Sequence, residues 1–129
     1  MPAPGIYTWA DDIYVSAHQA VVANIDAGAS FAYWDILDQA DTVLATLLLD
    51  DPCATVNGTT GQITFSFTGG EVGLVTGTAS WARMYDSDGN PKLWMPTAVG
   101  TVAVSGFFVM NTTSIILGAP VGVASATVG

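Results

Sequence analysis

The chain has 129 residues, enough for one domain with a single core, and half of them are apolar. Only 10% are charged, and eleven acids against two bases give a formal net charge of −9. Binding to nucleic acid or to an anionic membrane surface needs clustered Lys and Arg, and here Arg83 and Lys92 stand alone, so both partners are excluded.

Residues 1–10 read as an extended arm, because Pro2 and Pro4 disfavour helix. Ile6, Tyr7 and Trp9 are large apolar groups in that arm and are candidate anchors on another subunit, the alternative being that the arm packs back on its own domain. No basic stretch leading into an apolar core follows Met1, so no secretory signal is expected. Residues 11–129 read as a single β-rich domain with one helix near 12–27. Asp11 and Asp12 suit an N-cap and first turn, Ile13, Ala17, Ala20, Val21 and Ile25 recur at helical spacing, and Gly28 suits a stop.

From Ser30 onward the pattern is β. Strands are expected over Phe31–Leu37, Thr42–Leu49 (ended by Asp50, Asp51 and Pro52), Ile63–Phe67 and Val72–Val75. Further strands are expected over Thr78–Tyr85, Lys92–Met95, Val99–Val104, Phe107–Met110, Ser114–Leu117 and Val121–Val128. The run Asp86-Ser87-Asp88-Gly89-Asn90 is a strong hairpin-turn signal, predicting that Thr78–Tyr85 pairs with a strand beginning near Lys92. Short strands punctuated this regularly predict a mainly β fold: a β-sandwich or jelly-roll-like barrel of about eight to ten antiparallel strands with one N-terminal helix. The apolar C-terminal stretch is broken by Gly118, Pro120 and Gly122 and is too short to span a membrane as a helix.

Little in the sequence points to catalysis. His18 is the only histidine and sits on the expected helix amid Ala and Val, so it reads as a surface or partly packed residue. Cys53 is alone, which leaves neither an internal disulfide nor a metal cluster, and it reads as a buried small residue. Most Asp residues fall at expected caps and turns, and Asp35 alone falls inside an expected strand. Asp86-Ser87-Asp88-Gly89 lacks the spacing and the terminal Glu of a calcium loop. The expectation is a non-enzyme without cofactor or metal. Aromatic and Met residues exceed what one core must hide, which points to an interaction surface and a homo-oligomer, a dimer or trimer.

The string Gly77-Thr78-Ala79-Ser80-Trp81-Ala82-Arg83-Met84-Tyr85-Asp86-Ser87-Asp88-Gly89-Asn90 resembles a segment of small accessory structural proteins of tailed bacteriophages. Asn111-Thr112-Thr113-Ser114-Ile115-Ile116 with Gly118, Pro120 and Val121 is similar to their ending, Ala23-Asn24-Ile25-Asp26-Ala27-Gly28 to their helix end, and Leu44 to Pro52 to one of their strands. The resemblance spans nearly the whole chain in order. It departs at Val99 to Met110, which is more apolar here, so Phe107, Phe108 and Met110 become candidates for a different contact surface. It implies a virion protein made in the host cytoplasm: a capsid cement or decoration protein whose partner is the major capsid protein. A tail or connector component is the alternative within the virion. A glycan-binding module on the virion exterior is the rival from another class, and it requires an exposed aromatic shelf beside polar groups. An enzyme would require a pocket gathering His18 with two or more Asp.

Overall fold

The computed structural model describes residues 9–128, so Ile6 and Tyr7 lie outside the described residues. The described residues are mainly β with one helix, α1 (Asp11–Ile25). The strands are β1 (Tyr33–Leu37), β2 (Val43–Val56), β3 (Ile63–Phe67), β4 (Gly77–Thr78), β5 (Trp81–Tyr85), β6 (Pro91–Val99), β7 (Phe108–Met110), β8 (Ser114–Ile115) and β9 (Val123–Val128). Seven of them close a barrel in the order β1-β2-β3-β9-β7-β6-β5, and β4 and β8 form a separate two-stranded sheet. The barrel is therefore smaller than the expected eight to ten strands, and it is mixed rather than wholly antiparallel. β6 and β7 run parallel, with Thr97 opposite Phe108 and Val99 opposite Met110. Of the expected strand Val99–Val104, Val99 is the last residue of β6, and residues 100–107 cross to β7 as a loop with Gly106 at positive φ.

Inward positions alternate along the strands and meet in one core. Trp34 sits at its centre, edge-on to Phe65 with ring centroids 5.3 Å apart and tilted against Phe108 at 5.0 Å; Phe67 meets Phe108 edge-on at 5.6 Å. Ile36, Leu44, Leu47, Leu49, Met84, Met95 and Met110 fill the space around these rings. Phe108 and Met110 are thus fully buried, which removes them from the candidate contact surface and leaves Phe107 exposed beside them.

β2 continues through Asp50, Asp51 and Pro52, where the sequence predicted its end. Its first half pairs with β1 and its second half with β3, and the register shifts between Leu49 and Ala54. The acids and Pro52 occupy that irregularity, so the missing proline N–H removes no ladder bond. The expected strand Thr78–Tyr85 is broken at Ala79-Ser80, because Ala79 donates to the Thr113 carbonyl and Ser80 to the Leu37 carbonyl, toward different neighbours. The hairpin itself is as predicted: β5 pairs antiparallel with β6 from Trp81 opposite Pro96 to Tyr85 opposite Pro91.

α1 has Ala10 at its N-cap without a side-chain cap, and both Asp11 and Asp12 fall in the first turn, where their charge suits the helix dipole. The helix docks on β2 through Val22 and Ile25. Ile13 and Val21, expected on the buried face, are exposed.

Candidate functional site

Two surfaces stand out. The first is the outer face of β1, β2, β5 and β6. In β5 the small or flexible Ala82 and Met84 point into the barrel, which turns Trp81, Arg83 and Tyr85 outward. In β6, Met95 points in and Trp94 out. Pairing places Arg83 opposite Trp94 on one side and opposite Asp35 of β1 on the other. Trp81 and Trp94 remain 44% and 56% exposed, large values for the residue with the most apolar area to hide. Together with Leu37, Asp41 and Arg83 they line a cleft of about 270 Å³. A second depression, of about 390 Å³, is lined by Asp38, Gln39, Ala40, Thr78 and Ser80, the chain neighbours of Asp41 and Trp81.

The polar groups of this face are fixed by their surroundings. Asp38 accepts the N–H groups of Ala40 and Thr42, each at 2.9 Å, and shapes the β1–β2 turn that holds Asp41 at φ 61°. Asp35 is engaged by the Thr46 hydroxyl at 2.7 Å. The Arg83 guanidinium lies 5.2 Å from the centre of the Tyr85 ring, and Tyr85 stacks on Tyr33 at 4.8 Å. Burial, with the nearby Asp35 carboxylate, pushes the Tyr33 phenol above its ordinary pKa, so it remains a neutral hydroxyl.

The second surface is apolar and without charge. From Leu93 to the C-terminus no residue is charged, and none is between Val72 and Ala82. These two stretches meet. β4 pairs with β8, Val72 bridges Pro120 and Gly73 bridges Leu117. Gly73 is required there, because a Cβ would strike the Ile116 carbonyl. Val72, Leu74, Val75, Ile116 and Leu117 are exposed on this knob. Val99, Val102, Val104 and Phe107 are exposed on the β6–β7 crossing.

The remaining candidates are structural in their contacts. His18 is half-buried and hydrogen-bonded through Nδ1 to the Gly61 carbonyl, which ties α1 to the β2–β3 turn. Among the described residues, the cleft beside it is lined by Asp11, Tyr14 and Thr60. Cys53 is fully buried, and its thiol is pushed up to about 12 by burial first and then by the neighbouring Asp26 carboxylate. Trp9 is 55% exposed in the isolated chain. No group of three or more His, Cys, Asp or Glu suited to a metal occurs among the described residues. No described helix is long and apolar enough to cross a membrane.

The sequence reading missed Trp94, Leu74 and Leu117 and placed Trp81 only within a strand. The signal for the Trp pair was present: in Trp-Ala-Arg-Met-Tyr the bulky polar-tipped residues alternate with Ala and Met, and the smaller set is the one a narrow barrel takes in. The knob carried no local signal, because residues 72–76 and 115–120 meet only through the topology. No family model, curated protein or solved structure matches the chain.

Proposed function

We propose that the chain is a non-enzymatic accessory structural protein of a tailed-phage virion, a capsid cement or decoration protein seated over joints between major capsid subunits. The carrying observation is the charge-free knob, where Leu74, Val75, Ile116 and Leu117 are exposed side by side on a tied-down backbone. A soluble protein exposing such a surface loses about 25 cal/mol of burial per Å² left in water, and a partner recovers it less the cost of association. The knob is held by backbone bonds between distant parts of the chain: Leu74 to the Leu44 carbonyl at 2.8 Å and Gly118 to the Gly73 carbonyl at 2.9 Å. It can therefore dock without being ordered first. The sequence resemblance supplies the partner class, and self-association as a dimer or trimer over a symmetric lattice supplies the avidity.

The test is co-sedimentation of the purified chain with shells assembled from the major capsid protein of the same phage genome. Stoichiometric binding is expected, with Leu74→Asp and Leu117→Asp weakening it at least about tenfold while melting like the parent. Both positions are exposed, so folding should tolerate the charge. Binding to purified tails but not shells would move the protein to a tail or connector, and binding to neither would overturn the reading.

A further inference from the structure

We infer that the outer face of β1, β5 and β6 is a binding site for an extended neutral glycan, with Trp81 and Trp94 as stacking platforms and Arg83 and Asp41 as the polar clamp. The site is separate from the apolar knob and does not depend on the role proposed for it.

Three observations converge on this ligand chemistry. The first is the pair of tryptophans. Trp81 opposes Pro96 and Trp94 opposes Arg83, so the two indoles are diagonal neighbours on one face, about 7–8 Å apart along the backbone. Two exposed flat apolar side chains on one face suit successive rings that present C–H faces, and the cleft between them is shallow.

The second is the state of the polar groups. Arg83 lines the cleft, and its guanidinium makes no ion pair among the described residues. Its cross-strand neighbour Asp35 is already engaged by Thr46. Asp41 lines the same cleft and its carboxylate makes no hydrogen bond or ion pair among the described residues. The guanidinium can only donate and the Asp41 carboxylate can only accept, and both line one open cleft. A ligand that answers both must donate and accept within a short distance. Hydroxyls on adjacent carbons do so, and an apolar peptide side chain does not.

The third is charge. The chain carries a net charge of −9; Asp35 lies opposite Arg83 on β1 and Asp41 shares its cleft. That field repels a polyanion, which selects a neutral glycan over an acidic one. The adjoining depression, lined by Asp38, Gln39, Thr78 and Ser80, offers further donors and acceptors beyond the Trp cleft. Clefts of about 270 and 390 Å³ each lie near the lower end of small-ligand sites, roughly 300–1,000 Å³, and a ligand reaching both would be a chain of at least two rings instead of a single sugar.

The test is titration of the full chain with the hexasaccharides of cellulose, starch and chitin, with glucose as the single-ring control and a polygalacturonate hexamer as the acidic control. Binding is read by tryptophan fluorescence and by calorimetry. At least one neutral hexasaccharide should bind in the micromolar to millimolar range and shift the emission, with glucose and polygalacturonate far weaker. Trp81→Ala and Trp94→Ala should each cost about tenfold or more, and Asp41→Asn a smaller factor. Trp94→Phe should retain part of the binding, which separates lost stacking from a damaged fold. All these variants should still sediment with capsid shells as the parent does. Failure of every neutral hexasaccharide, or binding indifferent to both Trp substitutions, would overturn the inference. Loss of shell binding in the Trp variants would overturn it too, since the face would then be a protein contact.

Discussion

Asp86 shows how one turn residue carries more than its turn. Its carboxylate accepts the N–H groups of Asn90 at 2.9 Å and Asp88 at 3.0 Å, and Lys92 lies 3.6 Å away. The Asn90 N–H is the largest of the influences holding this carboxyl below its ordinary value of about 3.9. A lowered folded pKa means stability that is present above the unfolded value and lost as pH falls through the folded one. Asp86→Asn should therefore destabilise the chain at neutral pH. The difference from the parent should shrink as pH drops through the acid range below about 4. Denaturant melts of both proteins at neutral and strongly acidic pH check this, and a difference that stays constant would mean that Asp86 acts through shape and not through charge.

At the level of elements, the hairpin turn and the end of α1 hold each other. Ser87 donates its N–H to the Ile25 carbonyl at 2.9 Å, and Gly28 donates its own to the Ser87 hydroxyl at 2.5 Å. A Cβ on Gly28 would lie 2.6 Å from that hydroxyl and closer still to the Asp88 carboxylate. Gly28→Ala should cost about 1–3 kcal/mol in a denaturant melt, the range for forced overpacking, and a neutral result would show that the turn can back away. Gly28 is not the expected helix stop, since α1 ends at Ile25 with Asp26 as its C-cap; a glycine is needed there for a tertiary reason that local rules do not contain. The same division runs through the fold. The Asp86–Asn90 hairpin and the Ile63–Phe67 alternation were legible because turn chemistry and period-two patterning are local. The passage of β2 through Pro52 was not, because a proline ends a strand only where a ladder bond is needed, and the bulge removes that need. The helix face was misjudged because the apolar residues Ile13, Val15, Val21, Val22 and Ile25 are spread around α1 and give little directional signal, and the docking of Val22 and Ile25 is decided by β2. Phe107, Phe108 and Met110 looked alike in sequence, and only the parallel pairing with β6 and the antiparallel pairing with β9 decide which of them enter the barrel.

Across the whole molecule, charge is divided unevenly, and this makes the proposed docking open to a physical test. Every charged residue lies before Leu93, and the knob built from residues 72–76 and 115–120 has none within its own segments. Glu71, at the knob's border, is occupied: it accepts from the Leu48 N–H at 3.0 Å and the Thr68 hydroxyl at 2.9 Å. A contact made by Val72, Leu74, Val75, Ile116 and Leu117 is thus driven by apolar burial, with little Coulomb attraction to screen. Raising sodium chloride from about 0.1 M to about 1 M shortens the screening length from about 10 Å to about 3 Å, which weakens contacts built on exposed charges. Binding to capsid shells should nonetheless hold within about twofold over that range, and sulfate should strengthen it by favouring burial. Sedimentation at a series of salt concentrations measures both effects. A tenfold or greater loss in sodium chloride would mean that the acidic part of the chain, and not the knob, meets the shell.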